Sequence, residues 1–260
     1  MDAPIVTLTT DWGDGDFFAG MVKGVLYQHL EGVRVVDITH KVRPYSIVEA
    51  SFVVKHACVG FPAGTIHIID VATVQPFLAI KAQGQYFLCC DNGLPTTIFG
   101  DNHMEEICVL PTKENGIYNF AALTVFAQTA INIAKGMPLP SLGKQPTHLI
   151  QSSIPNYYPK ENGYGIYVNY FDTYGNAYLG MSYREFEEFR AGRPFVMIIR
   201  DQEVSEISLG YYNQQQSSDP RHKLQLTVSA TGMLELAHRQ GSLQQLLGLQ
   251  LFEPVTLIFK

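Results

Sequence analysis

The chain reads as an α/β N-terminal domain, with a mainly parallel sheet between helices, followed by a β-rich, barrel-like C-terminal domain. Three observations lead there. Up to about residue 138, short apolar runs rich in β-branched residues alternate with helical apolar stripes. The composition then shifts, with five prolines and several Ser, Asn and Gly between Pro138 and Gly165. Beyond that, short strand patterns follow one another closely. The expected division is a domain over 1–145, a linker over 146–163 and a second domain over 164–260.

The first half justifies its class element by element. Pro4–Thr9 (PIVTLT) suits a buried strand. A polar, glycine-containing turn, Thr10–Asp16, leads into Phe17–Leu30, where Phe18, Met21, Val22, Val25, Leu26 and Leu30 form one apolar stripe. Val33–Thr39 reads as a second strand, and Tyr45–Gly60 as a second helix with Ser46 as its cap. Thr65–Val71, Leu78–Ala82 and Tyr86–Cys90 read as strands. Phe120–Gly136 reads as one long helix closed by Lys135-Gly136. Strand–helix alternation predicts a sheet covered on both faces. In the second half the expected strands are Ile166–Phe171, Phe195–Arg200, Glu203–Leu209, Lys223–Ser229, Leu234–His238 and Val255–Phe259, with short helices at Tyr183–Ala191 and Ser242–Leu247. Asn213–Asp219 (NQQQSSD) is expected to be a mobile loop.

Composition narrows the function classes. Apolar residues make up 46% of the 260 residues and charged ones 16%, which suits a globular chain with a sizeable core. The net charge is −6 without a basic cluster, which argues against nucleic-acid and anionic-membrane partners. The start, MDAPIVTLTT, lacks the pattern of a signal peptide, and no run of apolar residues is long enough for a transmembrane helix. Cys58, Cys89, Cys90 and Cys108 lack CxxC spacing and read as buried free thiols, which fits a cytoplasmic location. The eight histidines form no HxH or HxxxH pair, so no metal is expected. The chain has no GxSxG and no GxxxxGK[ST].

Four constellations carry chemical potential. Asp11, Asp14 and Asp16 crowd into the turn between the first strand and helix, at the carboxyl edge where parallel sheets bind ligands. A carboxylate can accept both hydroxyls of a ribose diol, while Asp14 and Asp16 serve equally well as helix-capping acids. Asp70 closes the apolar run TIHIID, either at a binding edge or as a solvated strand end. Cys90-Asp91-Asn92-Gly93 is a strong turn signal that needs no function. Phe171-Asp172-Thr173-Tyr174-Gly175-Asn176 offers Asp172 and Asn176 to one ligand, or forms an ordinary hairpin turn.

In series these pieces resemble the family of S-adenosylmethionine hydroxide adenosyltransferases and their halogenating relatives. TDWGDGD and Lys23-Gly24 resemble the family's TDFG-x-x-D and KG. Asp37-Ile38-Thr39-His40 matches D-I-[ST]-H, and Phe61-Pro62-Ala63-Gly64-Thr65 matches FP-x-GT. CDNG, FAQTAINIAKG, FDTYGN and ATGMLELA are similar to PDNG, FAPAAA-x-LA-x-G, IDRFGN and SSGYLEIA, and the chain closes with a similar LGL and P-V strand. The matches run in order from about residue 7 to 258. The resemblance implies a homotrimer that binds S-adenosylmethionine as substrate or ligand, needs no other cofactor, and holds it where one subunit's N-terminal domain meets a neighbour's C-terminal domain. It implies that Asp11 holds the ribose diol, that Asp16 helps shape that pocket, and that Tyr45 lies against the ribose or adenosyl group. Asp172 and Asn176 would then bind the methionine ammonium and nearby polar groups.

The family's reaction is an in-line displacement at the ribose 5′ carbon, in which water or a halide enters and methionine leaves. In the water-using members an Asp, an Arg and a His position the nucleophile. Asp70 matches that Asp, but Phe77 stands where Arg is expected and Ala121 where His is expected. Ala72, Val74 and Ala122 replace glycines. Thr73 is the candidate new partner for Asp70, so Asp70 and Thr73 are the expected catalytic pair. Two readings stay open: hydrolysis of S-adenosylmethionine, or a catalytically silent protein that binds it.

Overall fold

A computed structural model describes residues 3–100, 103–112, 116, 118–208, 224–239 and 241–260. The stretch Asn213–Asp219, expected to be a loop, lies outside the described residues. The chain divides into two compact units, Met1–Ser153 and Ile154–Lys260. No described helix is long and apolar enough to cross a membrane.

The first unit is built on a six-stranded sheet. Its strands are β1 (Ile5–Thr10), β2 (Arg34–Thr39), β3 (Ile66–Asp70), β4 (Phe77–Ala82), β5 (Gln85–Cys90) and β6 (Glu106–Val109), in the order β2-β1-β3-β5-β4-β6. The β1–β2, β1–β3 and β3–β5 pairs are parallel. The β4 strand runs antiparallel to both β5 and β6, so the sheet is mixed beyond its parallel core. The chain steps from β1 to β2 on one side and then back across β1 to β3. The crevice at the carboxyl ends of β1 and β3 is therefore a topological switch point, the favoured ligand position in such sheets. Register places Thr10 opposite Asp70 there.

Helices cover both faces. On one, α1 (Phe18–His29) packs Val22 and Leu26, and α4 (Ala127–Ala134) packs Ala130 and Ile131, against Val6, Leu8, Ile66 and Ile68. On the other, α2 (Ile47–Ala57) and α3 (Leu94–Phe99) pack Ala50, Val54, Leu94 and Phe99 against Ile69, Leu78 and Ile80. Burying each such aliphatic side chain contributes roughly 1.5–3 kcal/mol. Ser46 caps α2 by accepting from the Glu49 amide, as its position before an apolar stripe predicts. The expected single helix over Phe120–Gly136 instead begins as a π-helical segment, Ala122–Phe126, and becomes α-helical only at Ala127. The hydroxyls of Thr124 and Thr129 bond back to the carbonyls of Phe120 and Val125.

The second unit is one strongly bent nine-stranded sheet, a strand-rich half-barrel. Its strands are β7 (Tyr157–Lys160), β8 (Gly163–Phe171), β9 (Ala177–Ser182), β10 (Phe195–Ile199), β11 (Gln202–Val204), β12 (Ile207–Ser208), β13 (Leu224–Val228), β14 (Met233–His238) and β15 (Pro254–Phe259). They run β11-β10-β15-β8-β9-β14-β13-β12, with β7 also on β8. The long β8 joins two portions, pairing β15 along its first half and β9 along its second. Phe186 from α5 (Tyr183–Arg190) and Leu243 from α6 (Leu243–Leu247) help fill the concave side with Leu179, Met197, Leu226 and Leu236. Ser182 and Glu185 form a reciprocal capping box on α5. The segment read as a linker contains β7, which forms a hairpin with β8 through the two-residue turn Glu161-Asn162.

Candidate functional site

The site grows from the carboxyl end of the parallel strands. Asp70 shares the strand face of Ile66 and Ile68, so its side chain points to the α1/α4 side, beneath the head of the π-helical segment. It is 1% exposed, which rules out the solvated strand end. The Thr73 hydroxyl, three residues along the same loop, donates to it at 2.5 Å, and the Ala122 amide and the Trp12 indole favour its charged form from two distant segments. Burial pushes the Asp70 carboxyl up to about 6; these hydrogen bonds hold it back, and the neighbouring charge of Asp11 adds to the rise. A buried carboxylate tuned to that range and open to a cavity is suited to accept a proton near neutral pH.

Asp11 stands beside it. Its Oδ2 accepts from the Tyr45 amide at 2.9 Å and the Ala72 amide at 3.4 Å. Both residues hold left-handed backbone, with φ of 65° and 50°. That conformation is costly for a side chain with a Cβ, by about 1–2 kcal/mol each, and the shared carboxylate helps to hold both in place. The Tyr45 ring is 80% exposed beside the cavity. Asn92 braces the same loop from below, its amide donating to the carbonyls of Val71 and Ala72 at 3.0 and 3.1 Å.

These groups line a cavity of about 210 Å³ with Trp12, Phe18, Asn119 and Phe120. Asp16 does not line it; it lies exposed on the approach to α1. The capping alternative fails too: Phe17 occupies the cap position of α1 without a side-chain bond, and Asp14 pairs with Lys41 at 2.5 Å.

In the second unit, Asp172 and Asn176 border a larger cavity, about 850 Å³, with Tyr174, Tyr178, His238 and Arg239. They also hold each other. Asp172 Oδ1 accepts from the Tyr174 and Asn176 amides at 3.0 and 2.9 Å, and Oδ2 accepts from the Asn176 side chain at 3.0 Å. Gly175 closes this turn at φ 81°, where a Cβ would lie 2.0 Å from Ser242 Oγ.

Residues 6–143 match the SAM hydroxide adenosyltransferase N-terminal domain, and residues 166–256 match its C-terminal domain. The chain belongs to the SAM hydroxide adenosyltransferase family. Its relatives include the (R)-S-adenosyl-L-methionine hydrolase of Salinispora tropica, 28% identical over 69% of this chain and 72% of that one. The (R)-S-adenosyl-L-methionine hydrolase of Thermus thermophilus is 25% identical over 97% of this chain and 99% of its own. A fluorinase from Actinoplanes is 21% identical over 73% and 75%. The fold agrees: a crystal structure of an uncharacterized conserved protein from Thermotoga maritima superposes with a TM-score of 0.83 at 22% identity, covering 98% of this chain and 99% of that one.

Within the SAM hydroxide adenosyltransferase pattern, the two departures have become core. Phe77 is 1% exposed and packs edge-on to Phe126 and Tyr118, with centroids 5.6 and 5.8 Å apart. Ala121 is fully buried. Asp70 is not stranded by these changes, because Thr73, Ala122 and Trp12 supply donors. Sequence reading anticipated Thr73 but missed Trp12, Asn92 and Asn119. Of the three, only Trp12 left a signal: it is an aromatic ring with a donor where the family pattern has Phe.

Proposed function

We propose that this protein hydrolyses S-adenosylmethionine to adenosine and methionine. The observation that carries the reading is the pairing of Asp11 with the buried Asp70 in one cavity at the sheet's switch point. Asp11 binds the ribose diol, and Tyr45 lies along the adenosyl group at the cavity mouth. Asp16 acts from the exposed approach, at the rim. Asp172 and Asn176 bind the methionine ammonium, and the chain works as a homotrimer. Its four buried cysteines, none in a disulfide, support a cytoplasmic location.

A water held by Thr73 Oγ1 and Asp70 attacks the ribose 5′ carbon in line with the carbon–sulfur bond. The Thr73 hydroxyl donates to Asp70, so its oxygen is left to accept from the water. As the new C–O bond forms, the C–S bond breaks and its electron pair passes to sulfur, giving methionine. The proton of the attacking water passes to the Asp70 carboxylate and then to solvent. The sulfonium is already an activated leaving group, so the reaction needs no cofactor, and orientation of the water supplies much of the acceleration.

The buried positions of Phe77 and Ala121 favour a second reading, a silent binding protein that lacks the water-positioning Arg and His. One experiment separates them: purified protein is incubated with S-adenosylmethionine, and ligand and products are identified by mass spectrometry. Adenosine and methionine establish hydrolysis. Intact S-adenosylmethionine retained on the protein establishes binding alone.

A further inference from the structure

We propose that Asp11 positions the attacking water as well as binding the ribose: through the Ala72 amide it fixes the loop that carries Thr73. One carboxylate then serves the diol with one oxygen and the nucleophile with the other. The water-positioning role rests on the hydrolysis reading; the hold of Asp11 on the Ala72 loop does not.

Thr73 can hold a water in one place only if its own backbone is held. Its hydroxyl donates to Asp70 at 2.5 Å, which fixes the side chain but not the chain beneath it. The backbone groups of the preceding pair, Val71-Ala72, find their partners on two sides. Asn92 donates to the Val71 and Ala72 carbonyls at 3.0 and 3.1 Å. The Ala72 amide donates to Asp11 Oδ2 at 3.4 Å. Beyond Thr73, the Val74 amide meets Cys90 Sγ at 3.4 Å, a weak acceptor. Asp11 is the one charged acceptor among these anchors, and a bond to a charged group is the stronger kind.

The conformation of Ala72 makes that anchor matter. Its φ is 50°, left-handed backbone that a Cβ disfavours. The family pattern has glycine here, which adopts such backbone freely. With alanine in its place, the conformation depends on outside bonds. The same Oδ2 accepts from the Tyr45 amide at 2.9 Å, and Tyr45 holds φ 65°. Two disfavoured conformations in two loops thus hang on one oxygen. An oxygen that accepts two N–H groups is filled, so Oδ1 is the atom left to meet the diol. Asp11 and Thr73 both line the cavity of about 210 Å³, whereas Asn92 does not. Loosening the loop through Asn92 therefore leaves the ligand's own contacts in place.

Steady-state kinetics with S-adenosylmethionine separate the two duties of Asp11. Asp11→Ala removes both oxygens and is expected to lower kcat by about tenfold to a hundredfold while raising KM. Asp11→Asn keeps one acceptor for the amides, so it should raise KM with a smaller loss of kcat. Adding Ala72→Gly to Asp11→Ala should recover about tenfold of the lost kcat and leave KM high, because glycine holds the turn without an outside bond. A kcat that Ala72→Gly does not raise overturns the water-positioning role while hydrolysis stands. If Asp11→Ala does not fold, Asn92→Ala decides: kcat should fall with KM unchanged, and an unchanged kcat overturns the role. Hydrogen exchange over residues 71–76, read by mass spectrometry, needs no turnover. It should quicken by about tenfold in Asp11→Ala, and an unchanged rate overturns the hold of Asp11 on the loop. If the wild-type protein forms no adenosine yet Asp11→Ala quickens this exchange, the hydrolysis reading and the water-positioning role fall, and the hold on the loop alone stands.

Discussion

Two aspartates of this molecule, Asp70 and Asp172, each stand at the end of a strand, yet they differ in where their partners come from. Asp172 is served by Tyr174 and Asn176, two and four residues along the same turn. Its bonds close a hairpin, and local backbone geometry accounts for them. Asp70 takes its Thr73 bond from three residues along its own loop, but tertiary structure alone brings Trp12 and Ala122 near it, and it sits 1% exposed beside a second carboxylate. Beyond the Thr73 bond nothing local requires that arrangement, and burial works against its charge. A carboxylate kept ionised against desolvation by donors from three segments is more informative about chemistry than one that completes its own turn.

Perturbing the two aspartates should break or sharpen this contrast, beginning with the largest effect. Asp70→Asn should reduce adenosine formation by about a hundredfold or more, as loss of a general base does, measured by product chromatography. The same variant tests the strain. The folded Asp70 carboxyl, near 6, lies above its ordinary 3.8, so native protein binds the proton more tightly than unfolded chain. The linked stability is fully present below the ordinary value and is lost as pH rises through about 6. Denaturant titrations at pH 4 and 7 should therefore show wild type losing up to about 3 kcal/mol relative to Asp70→Asn over that interval.

Asp11→Asn should weaken S-adenosylmethionine binding by about tenfold through the lost charge-assisted bonds to the diol, as read by calorimetry. Unchanged affinity would remove the ribose role. Asp172→Ala should lower stability by about 1 kcal/mol through the opened turn, whatever it does to ligand affinity, whereas Asp70→Asn perturbs catalysis first. The smallest effect should come from Ala72→Gly, which relieves a left-handed backbone at φ 50° and should raise stability by a few tenths to about 1 kcal/mol in thermal unfolding.

The sequence made the architecture legible where pattern and punctuation agree. The β1–α1–β2–α2–β3 order followed from apolar period and from Ser46 as a cap, and the second unit from its close-set strands. The long helix over residues 120–136 was overread because its composition is uniformly helical, while its first turn is π-helical and gives the Ala122 amide to Asp70. Both α3 and β6 escaped notice, the first because Asp-Asn-Gly ahead of it satisfied a turn reading on its own. At the site, Asp11 and Asp70 stood out because acids at strand ends are conspicuous. Trp12, Asn92 and Asn119 did not, since an indole and two amides are ordinary anywhere until folding aims them. Thr73 could be named only from what Asp70 lacked.

The braced exit of the first unit has a consequence for how the chain could be divided into modules. The Ile150 amide donates to Asp91, and the Ser152 amide to Thr96, whose hydroxyl returns a bond to the Ile150 carbonyl. Gly93 lies so close beneath that a Cβ there would come within 2.7 Å of Ser152. From the far side, the Asn156 carbonyl is already taken by the Tyr167 amide. The seam between modules is thus Ser153–Pro155 rather than the whole proline-rich stretch. A gene cut there would fall between the two hydrogen-bond networks and leave both whole, while a cut a few codons earlier would unpick the floor beneath Asn92 and, through it, the loop that carries Thr73.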